Sequence, residues 1–173
     1  MTRVVKRLAS QAVKSGGSHR GVPLPQFVPP QLSKPVEKPP SGFQWLHEIK
    51  LDGYRMAARI DNGCAQLLTR TGLDWTEKYP SAIAALANLN VKTAYIDGEL
   101  CGVDDAGLPS FAQTQAATDG AREVRLVYYA FDLLHIDGRD GSALPLIERK
   151  ALLETLVAII IAHHLQVIST RRF

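Results

Sequence analysis

The stretch whose residue types are best suited to catalysis is HEIKLDGYR, at residues 47–55. In an extended strand, side chains two residues apart project from one face, so Glu48, Lys50 and Asp52 would lie together. A lysine acts as a nucleophile only as the free amine, which cationic neighbours or desolvation favour and carboxylates oppose. The stretch therefore fits two interpretations. It is either a nucleophilic lysine that shares its site with a metal ion and Arg55, or an exposed, ion-paired strand edge before a glycine turn.

Four further segments contain residue types suited to phosphate, sugar or base contacts. Taken alone, each has an ordinary structural explanation: Phe131 would be a core residue of an apolar strand, and Arg70 would be a solvated charge. Asp132 would cap the next element or pair with a nearby cation. It is their joint order along the chain that indicates a common site. These segments are TRTG at 69–72, YIDGEL at 95–100, YYAFDLLHIDG at 128–138 and LIERK at 146–150.

This order of motifs resembles the covalent nucleotidyltransferase superfamily. It is most similar to the ATP-dependent DNA ligases, in particular the ligase module of bacterial non-homologous end-joining ligases. The resemblance runs from about residue 24 to residue 169. Capping-type guanylyltransferases and RNA ligases share the lysine chemistry, but the contexts of residues 47–55 and 131–138 favour a DNA ligase. The segments that carry the resemblance are PQFVPPQL, WLHEIKLDGYR, LLTRTGLDWT, DGEL and FDLLHIDGRD.

The resemblance implies a role for each of six residues. Lys50 would attack the α-phosphate of ATP and hold AMP as a phosphoramidate. Glu48 would contact the adenine, and Phe131 would stack on it. The remaining three would contact sugar, phosphate or metal: Arg55 at the ribose, Arg70 at the nucleotide or the DNA 5′-phosphate, and Glu99 at the ribose hydroxyls or a divalent metal.

The same resemblance implies the substrates and partners. The reaction would use ATP with Mg²⁺ or Mn²⁺, because transfer of a phosphoryl-type group depends on positioning and charge neutralisation. Arginine suits phosphate contacts, since its planar fork gives two directed hydrogen bonds. The partners would be nicked or broken double-stranded DNA and other end-joining repair proteins. The expected location is the bacterial cytoplasm, at the nucleoid and away from membranes.

Charge and proline are unevenly distributed along the 173 residues. Residues 1–40 hold seven Lys or Arg, one acid and seven of the ten prolines. Such a segment has little apolar surface to bury, so we predict a disordered basic arm or linker at residues 1–22 and the domain at residues 23–173. The arm lacks the apolar core of a secretory signal, while its composition also fits an organelle transit peptide. The two cysteines favour free thiols in a reducing compartment.

The hydrophobic pattern predicts an α+β domain with an antiparallel sheet, as in the ATP-grasp-like DNA ligase domains. Asn62-Gly63 predicts a tight hairpin, and residues 26–40 should lie along the surface, anchored by Phe27, Val28, Leu32 and Val36. Residues 135–145 should form a loop or hairpin, and His163 and His164 should be surface residues. Predicted strands cover 45–50, 54–60, 65–70, 93–103 and 125–134, with another from 165; predicted helices cover 81–89 and 111–118, with another from 146.

The resemblance also predicts what this sequence lacks. The family continues with a Glu-Gly motif, a Lys-x-Lys pair and an OB-fold domain, none of which occurs before residue 173. We therefore expect a C-terminally incomplete adenylation domain with no OB-fold, which forms the AMP adduct slowly at most. The alternative is a non-catalytic remnant or an accessory module that binds nucleotide or DNA.

Overall fold

The computed structural model describes residues 2–7, 21–43, 45–121, 123–158 and 165–167. A seven-stranded sheet has the order β4-β3-β5-β7-β8, with β6 added on β5 and β9 on β7. A separate two-stranded sheet pairs β1 with β2. The strands are β1 Thr2–Arg7, β2 Trp45–Ile49, β3 Tyr54–Asp61, β4 Cys64–Thr69, β5 Thr93–Val103, β6 Pro109–Ser110, β7 Arg125–Ile136, β8 Arg139–Asp140 and β9 Leu165–Val167; the helices are α1 Pro80–Ala87, α2 Phe111–Thr118 and α3 Leu146–Ala158.

The hairpin between β3 and β4 forms where Asn62-Gly63 predicts it. Asn62 has φ 50° and Gly63 has φ 84°, the pair of positive values that a two-residue type I′ turn requires. The register then places Asp61 opposite Cys64 and Met56 opposite Thr69. This hairpin gives the sheet its edge and brings the TRTG segment beside the start of β3.

The main core lies between one face of the sheet and the helices. Tyr128 of β7 is fully buried there, and its hydroxyl lies 3.0 Å from the carbonyl oxygens of both Met56 and Ile96. Its ring lies directly over Gly98 of β5, where a Cβ atom would come within 2.4 Å of Cζ of Tyr128. The glycine of the DGEL segment is therefore required by the packing of an aromatic ring across two neighbouring strands.

The proline-rich segment covers the opposite face of the sheet, as predicted, but only in its first part. Phe27 and Val28 pack against Tyr95 there, and the Tyr95 hydroxyl accepts a hydrogen bond from the Val28 amide at 3.0 Å. Leu32 and Val36 are exposed, so the prediction that they anchor the segment is wrong. These two residues line a cavity instead, because the chain no longer follows the sheet face at that point.

The N-terminal residues differ from the predicted arm over residues 1–22. Thr2–Arg7 form β1, which pairs antiparallel with β2 and places Arg3 opposite Glu48. The β-branched pair Val4-Val5 suits a strand, and the pairing satisfies backbone groups of β2. Residues 8–20 lie outside the described part of the chain.

The predicted α+β domain with an antiparallel sheet is confirmed, with one short strand added in parallel. Strand β9 pairs parallel with β7, with Tyr128 opposite Leu165. The physical reason is that α3 carries the chain back along the sheet before β9 begins, which makes a crossover connection. The strand predicted from residue 165 is therefore present, while His163 and His164 lie outside the described residues.

Most other predicted elements are confirmed. Helix α2 has the predicted bounds, and β5 covers the predicted residues. Residues 135–145 form the β7–β8 hairpin followed by a short 3-10 turn at Gly141–Ala143. Both cysteines are free, Cys64 exposed and Cys101 buried. Among the described helices, none is long and apolar enough to cross a bilayer.

Candidate active site

Lys50 stands just beyond the end of β2, beside a cavity of about 1180 Å³. Its side chain is 48% exposed. Four parts of the fold build the cavity wall: the proline-rich segment, the loop after Lys50 with the start of β3, the TRTG turn with the residues after it, and Glu99 of β5 with Phe111 at the start of α2. The lining includes Leu32, Ser33, Lys34, Pro35, Val36, Glu37, Lys50, Asp52, Gly53, Tyr54, Arg55, Met56, Thr69, Arg70, Thr71, Leu73, Trp75, Glu99 and Phe111.

The loop after Lys50 is held against β5 through Gly53. The Gly53 amide donates a hydrogen bond of 2.9 Å to Oε1 of Glu99. A Cβ atom at this position would lie 2.4 Å from the carbonyl oxygen of Leu100 and 2.5 Å from Sγ of Cys101. Only glycine permits this approach, which is how the fold places Lys50 and Glu99 around the same cavity.

Lys50 forms an ion pair with Asp52 at the cavity rim. The hydrogen bond and the positive charge of Lys50 lower the pKa of the Asp52 carboxyl below its usual value. Both side chains are largely exposed, so solvent screens the pair and its contribution to stability is small.

Arg55 forms the most firmly held part of the wall. Its Nε and Nη2 donate to the two carboxylate oxygens of Asp97 at 3.1 and 2.6 Å, and its Nη1 donates to the Gln31 carbonyl oxygen at 3.0 Å. Its guanidinium carbon lies 5.2 Å from the centre of the Phe131 ring, within the range of a cation–π contact. Arg55 therefore joins the cavity to the strand that carries Phe131.

Phe131 is the extra residue of a β-bulge. The register pairs Asp97 with Asp132 and Gly98 with Ala130, so it shifts by one residue at Phe131. A bulge re-aims the side chain at that position. The ring is 8% exposed and does not line the cavity, because the Arg55 guanidinium covers it.

Glu48 does not lie with Lys50 and Asp52, which corrects the predicted strand face. Its carboxylate is buried and forms an ion pair with Lys150 of α3. The strand ends at Ile49, so the alternation that would align the three side chains no longer applies at Lys50. The structure thus gathers Lys50, Arg55, Arg70 and Glu99 around one cavity and leaves Glu48 and Phe131 outside its lining.

Two consecutive cations of the LIERK segment were missed as parts of the site. Lys150 pairs with Glu48, and Arg149 donates to both carboxylate oxygens of Asp132 at 2.6 and 3.0 Å. The sequence offered one signal, since three consecutive charged residues, Glu148 to Lys150, interrupt the apolar spacing of this helix. The prediction that Asp132 caps an element or pairs with a cation is confirmed by its pair with Arg149.

The described residues offer few side chains that could bind a divalent metal ion. These contain no group of three or more His, Cys, Asp or Glu side chains arranged to hold a metal ion. Glu99 and Asp52 are nevertheless carboxylates on the cavity wall. That donor set fits Mg²⁺, which is commonly held by one or two carboxylates together with substrate phosphates.

The fold and the cavity together define a class of protein. A lysine amine, two guanidinium groups and carboxylates around one cavity suit covalent nucleotidyl transfer. The family model for the ATP dependent DNA ligase domain matches residues 30–172, and the chain therefore belongs to this family.

Individual relatives agree with the family. The chain is 41% identical over 149 residues to the multifunctional non-homologous end joining protein LigD of Pseudomonas aeruginosa, which covers 86% of this chain and 18% of that protein. It is 40% identical over 113 residues to the LigD repair protein of Mycobacterium tuberculosis, covering 65% of this chain and 14% of that protein. The chain thus spans less than a fifth of the length of these relatives.

Two solved structures share the fold at similar identity. The ligase domain of LigD from Mycobacterium tuberculosis superposes with a TM-score of 0.64 at 36% identity, covering 73% of this chain and 39% of that chain. The mycobacterial DNA ligase D complexed with ATP and MES gives a TM-score of 0.62 at 35% identity, covering 73% and 40% respectively.

Proposed function

We propose that Lys50 attacks the α-phosphorus of ATP and forms a lysyl-AMP intermediate. The new bond joins Nζ to phosphorus, the bond from phosphorus to the bridging oxygen breaks, and pyrophosphate leaves with the bonding electrons. The amine loses a proton to solvent or to a nearby carboxylate. The observation that carries this proposal is the position of Lys50 on a cavity that also contains Arg55, Arg70 and Glu99.

The charges on the cavity wall suit a triphosphate. Arg70, on the TRTG turn, is exposed and free to reach a nucleotide phosphate or the 5′-phosphate of DNA. Mg²⁺ or Mn²⁺ would enter with the triphosphate, with Glu99 as a protein ligand or as an acceptor for the ribose hydroxyls. Arg55, which now pairs with Asp97, would contact the ribose after its guanidinium moves off the Phe131 ring.

Stacking of adenine requires the Arg55 guanidinium to move. It now covers the Phe131 ring, on which stacking contributes about 1–3 kcal/mol in such sites. Glu48 would contact adenine through Oε2, while its Oε1 keeps the hydrogen bond from Lys150. Binding of the base would therefore exchange the contact of Arg55 with Phe131 for a new one and keep the pair between Glu48 and Lys150.

The adenylate would then serve DNA strand joining. In this proposal AMP passes from Lys50 to a DNA 5′-phosphate at a nick or a broken end, in cooperation with other end-joining repair proteins in the bacterial cytoplasm, at the nucleoid. Support comes from the family membership and from the LigD relatives, which are named for end joining.

Incubation of the full chain with α-³²P-labelled ATP and Mg²⁺ tests the first step. We expect a covalent label that acid releases and alkali does not, as an N–P bond requires. Lys50→Ala should abolish the label, whereas Lys92→Ala, which removes an exposed lysine outside the cavity lining, should retain it. A label that persists in Lys50→Ala would refute the proposal. Binding of ATP by wild type without any label would favour the alternative of a non-catalytic nucleotide-binding module.

A further inference from the structure

Two consecutive buried cations of helix α3 form ion pairs with carboxylates on two different strands. Arg149 is 7% exposed and Lys150 is 2% exposed. Successive residues of a helix point about 100° apart, which allows the two side chains to reach different targets. Arg149 reaches Asp132 of β7, and Lys150 reaches Glu48 of β2.

Arg149 supports the wall that contains Arg55 and Phe131. Its Nε and Nη2 hold Asp132 at 2.6 and 3.0 Å, and its Nη1 donates to the Leu144 carbonyl oxygen at 2.7 Å. Asp132 follows Phe131 and stands opposite Asp97 across β5 and β7. Like charges in directly opposite positions repel, and here each carboxylate is held by its own arginine.

Lys150 supports the strand that leads to the nucleophile. Its partner Glu48 lies two residues before Lys50 and 102 residues away from Lys150 along the chain. Within the described residues, β2 pairs only with β1 and not with a strand of the seven-stranded sheet. Strand pairing therefore does not fix the distance of β2 from that sheet, which leaves side-chain contacts and the short loop held by Gly53 to fix it.

Buried ion pairs are better suited to fixing positions than to adding stability. The desolvation of two charges offsets much of their attraction, and apolar residues of similar volume often stabilise a fold as well. A bidentate arginine–carboxylate pair differs from an apolar contact because its two hydrogen bonds have one preferred geometry. A lysine ammonium holds its carboxylate close as a compact point charge. In this domain the two pairs fix where β2 and β7 lie relative to the same helix.

We propose that Arg149 and Lys150 are positioning residues that set the separation between Lys50 and the wall formed by Arg55 and Phe131. This inference deepens the proposed function and rests on it for its catalytic consequence. Lys150 governs the nucleophile side of the cavity through Glu48. Arg149 governs the opposite side through Asp132.

Substitutions of Lys150 and of Arg149 should have different kinetic effects. Lys150→Met should slow lysyl-AMP formation at saturating ATP by about 10- to 100-fold, since a shift of about 1 Å in a reacting group has an effect of that order. Its KM for ATP should change by less than about threefold. Arg149→Met should mainly raise the KM for ATP, because the wall that contacts the nucleotide is displaced. Lys150→Arg, which keeps the ion pair, should recover most of the rate.

Rates of label incorporation per folded molecule, measured over a range of ATP concentrations, test this inference. Glu148→Met is the matched control, since it replaces an exposed charge on the same helix, and it should behave as wild type. If Lys150→Met does not fold, Lys150→Gln carries the same test. Equal losses of rate and unchanged KM in both the Arg149 and Lys150 variants would overturn the inference, as would a wild-type rate in Lys150→Met.

Amide hydrogen exchange separates this inference from the proposed function. Lys150→Met should speed exchange in β2 more than in β4, which lies at the far edge of the sheet. If wild type forms no adduct but β2 loosens in this way, the proposed function fails and the positioning role stands. If β2 exchanges equally in both proteins, the positioning role fails whatever the labelling result.

Discussion

Glu48 of β2 and Lys150 of α3 form an ion pair in which the two side chains are 5% and 2% exposed. This contact connects the approach to Lys50 with a helix that begins almost a hundred residues later in the chain. It also explains why Glu48 is turned away from the cavity that Lys50 lines. The pair makes the position of the candidate nucleophile depend on residues far from it in sequence.

The thermodynamics of this pair can be measured with a double-mutant cycle. Lys150→Met alone should lower the free energy of unfolding by about 3–5 kcal/mol, because it leaves a buried carboxylate without its cation. The double variant Glu48→Leu/Lys150→Met should recover much of that loss, since no buried charge remains. Urea denaturation of wild type, both single variants and the double variant gives the coupling free energy between the two side chains. Additive effects of the two substitutions would contradict the ion pair.

Gly98 should tolerate no larger residue. Gly98→Ala places a Cβ atom 2.4 Å from the Tyr128 ring and should lower the free energy of unfolding by about 1–3 kcal/mol or more, as overpacking does. Gly98→Ala/Tyr128→Leu should be less destabilised relative to Tyr128→Leu, because the clash is removed. Gly63→Ala is a useful comparison, since Gly63 has φ +84° but nothing within 4 Å of a Cβ. Thermal unfolding measures the effect. A Gly98→Ala variant that unfolds at the same temperature as wild type would contradict this packing.

The two thiols should differ sharply in reactivity. Burial, with the nearby charges of Glu99 and Asp52, raises the pKa of Cys101 to about 12. Iodoacetamide at pH 8 should therefore modify exposed Cys64 in the folded chain and reach Cys101 only after unfolding, because the thiolate is the reactive form. Mass spectrometry of the folded wild type and of Cys64→Ser measures this. Rapid labelling of Cys64→Ser without denaturant would contradict the buried position.

The same shift predicts the response to alkali. A thiol with a raised pKa favours the folded state while it is protonated, so its contribution is complete below the ordinary value of 9.0. That contribution should disappear as the pH rises toward about 12. Cys101→Ala should therefore lose less stability than wild type between pH 9 and 11. Denaturation curves at matched pH values give the comparison.

His135 should make the domain sensitive to mild acid. Burial lowers its pKa, against the opposing charges of Asp140 and Asp137. Its Nε2 accepts a hydrogen bond from the Gly138 amide at 3.3 Å, which a protonated ring could not do. A depressed pKa means that stability is present above the ordinary value of 6.5 and is lost as the pH falls below it. Unfolding measured from pH 7.5 to 5 should show a smaller decline in His135→Gln than in wild type.

Local patterns in the sequence were sufficient for elements that depend on near neighbours. The Asn62-Gly63 turn follows from backbone preferences of two residues, and α2 and β5 follow from short stretches of composition. The same patterns failed where a partner was distant. The pairing of β1 with β2, the parallel position of β9 and the orientation of Glu48 each depend on contacts with segments far along the chain.

The sequence by itself determined the family, the identity of the candidate nucleophile Lys50 and most strands and helices, because these depend on residue types in a short order. Only the tertiary structure decided that Lys50, Arg55, Arg70 and Glu99 line one cavity while Glu48 turns to Lys150 and Phe131 lies beneath Arg55. The physical reason is that a buried charge takes the direction of its counter-charge. Which counter-charge is near is a property of the packed sheet and helices.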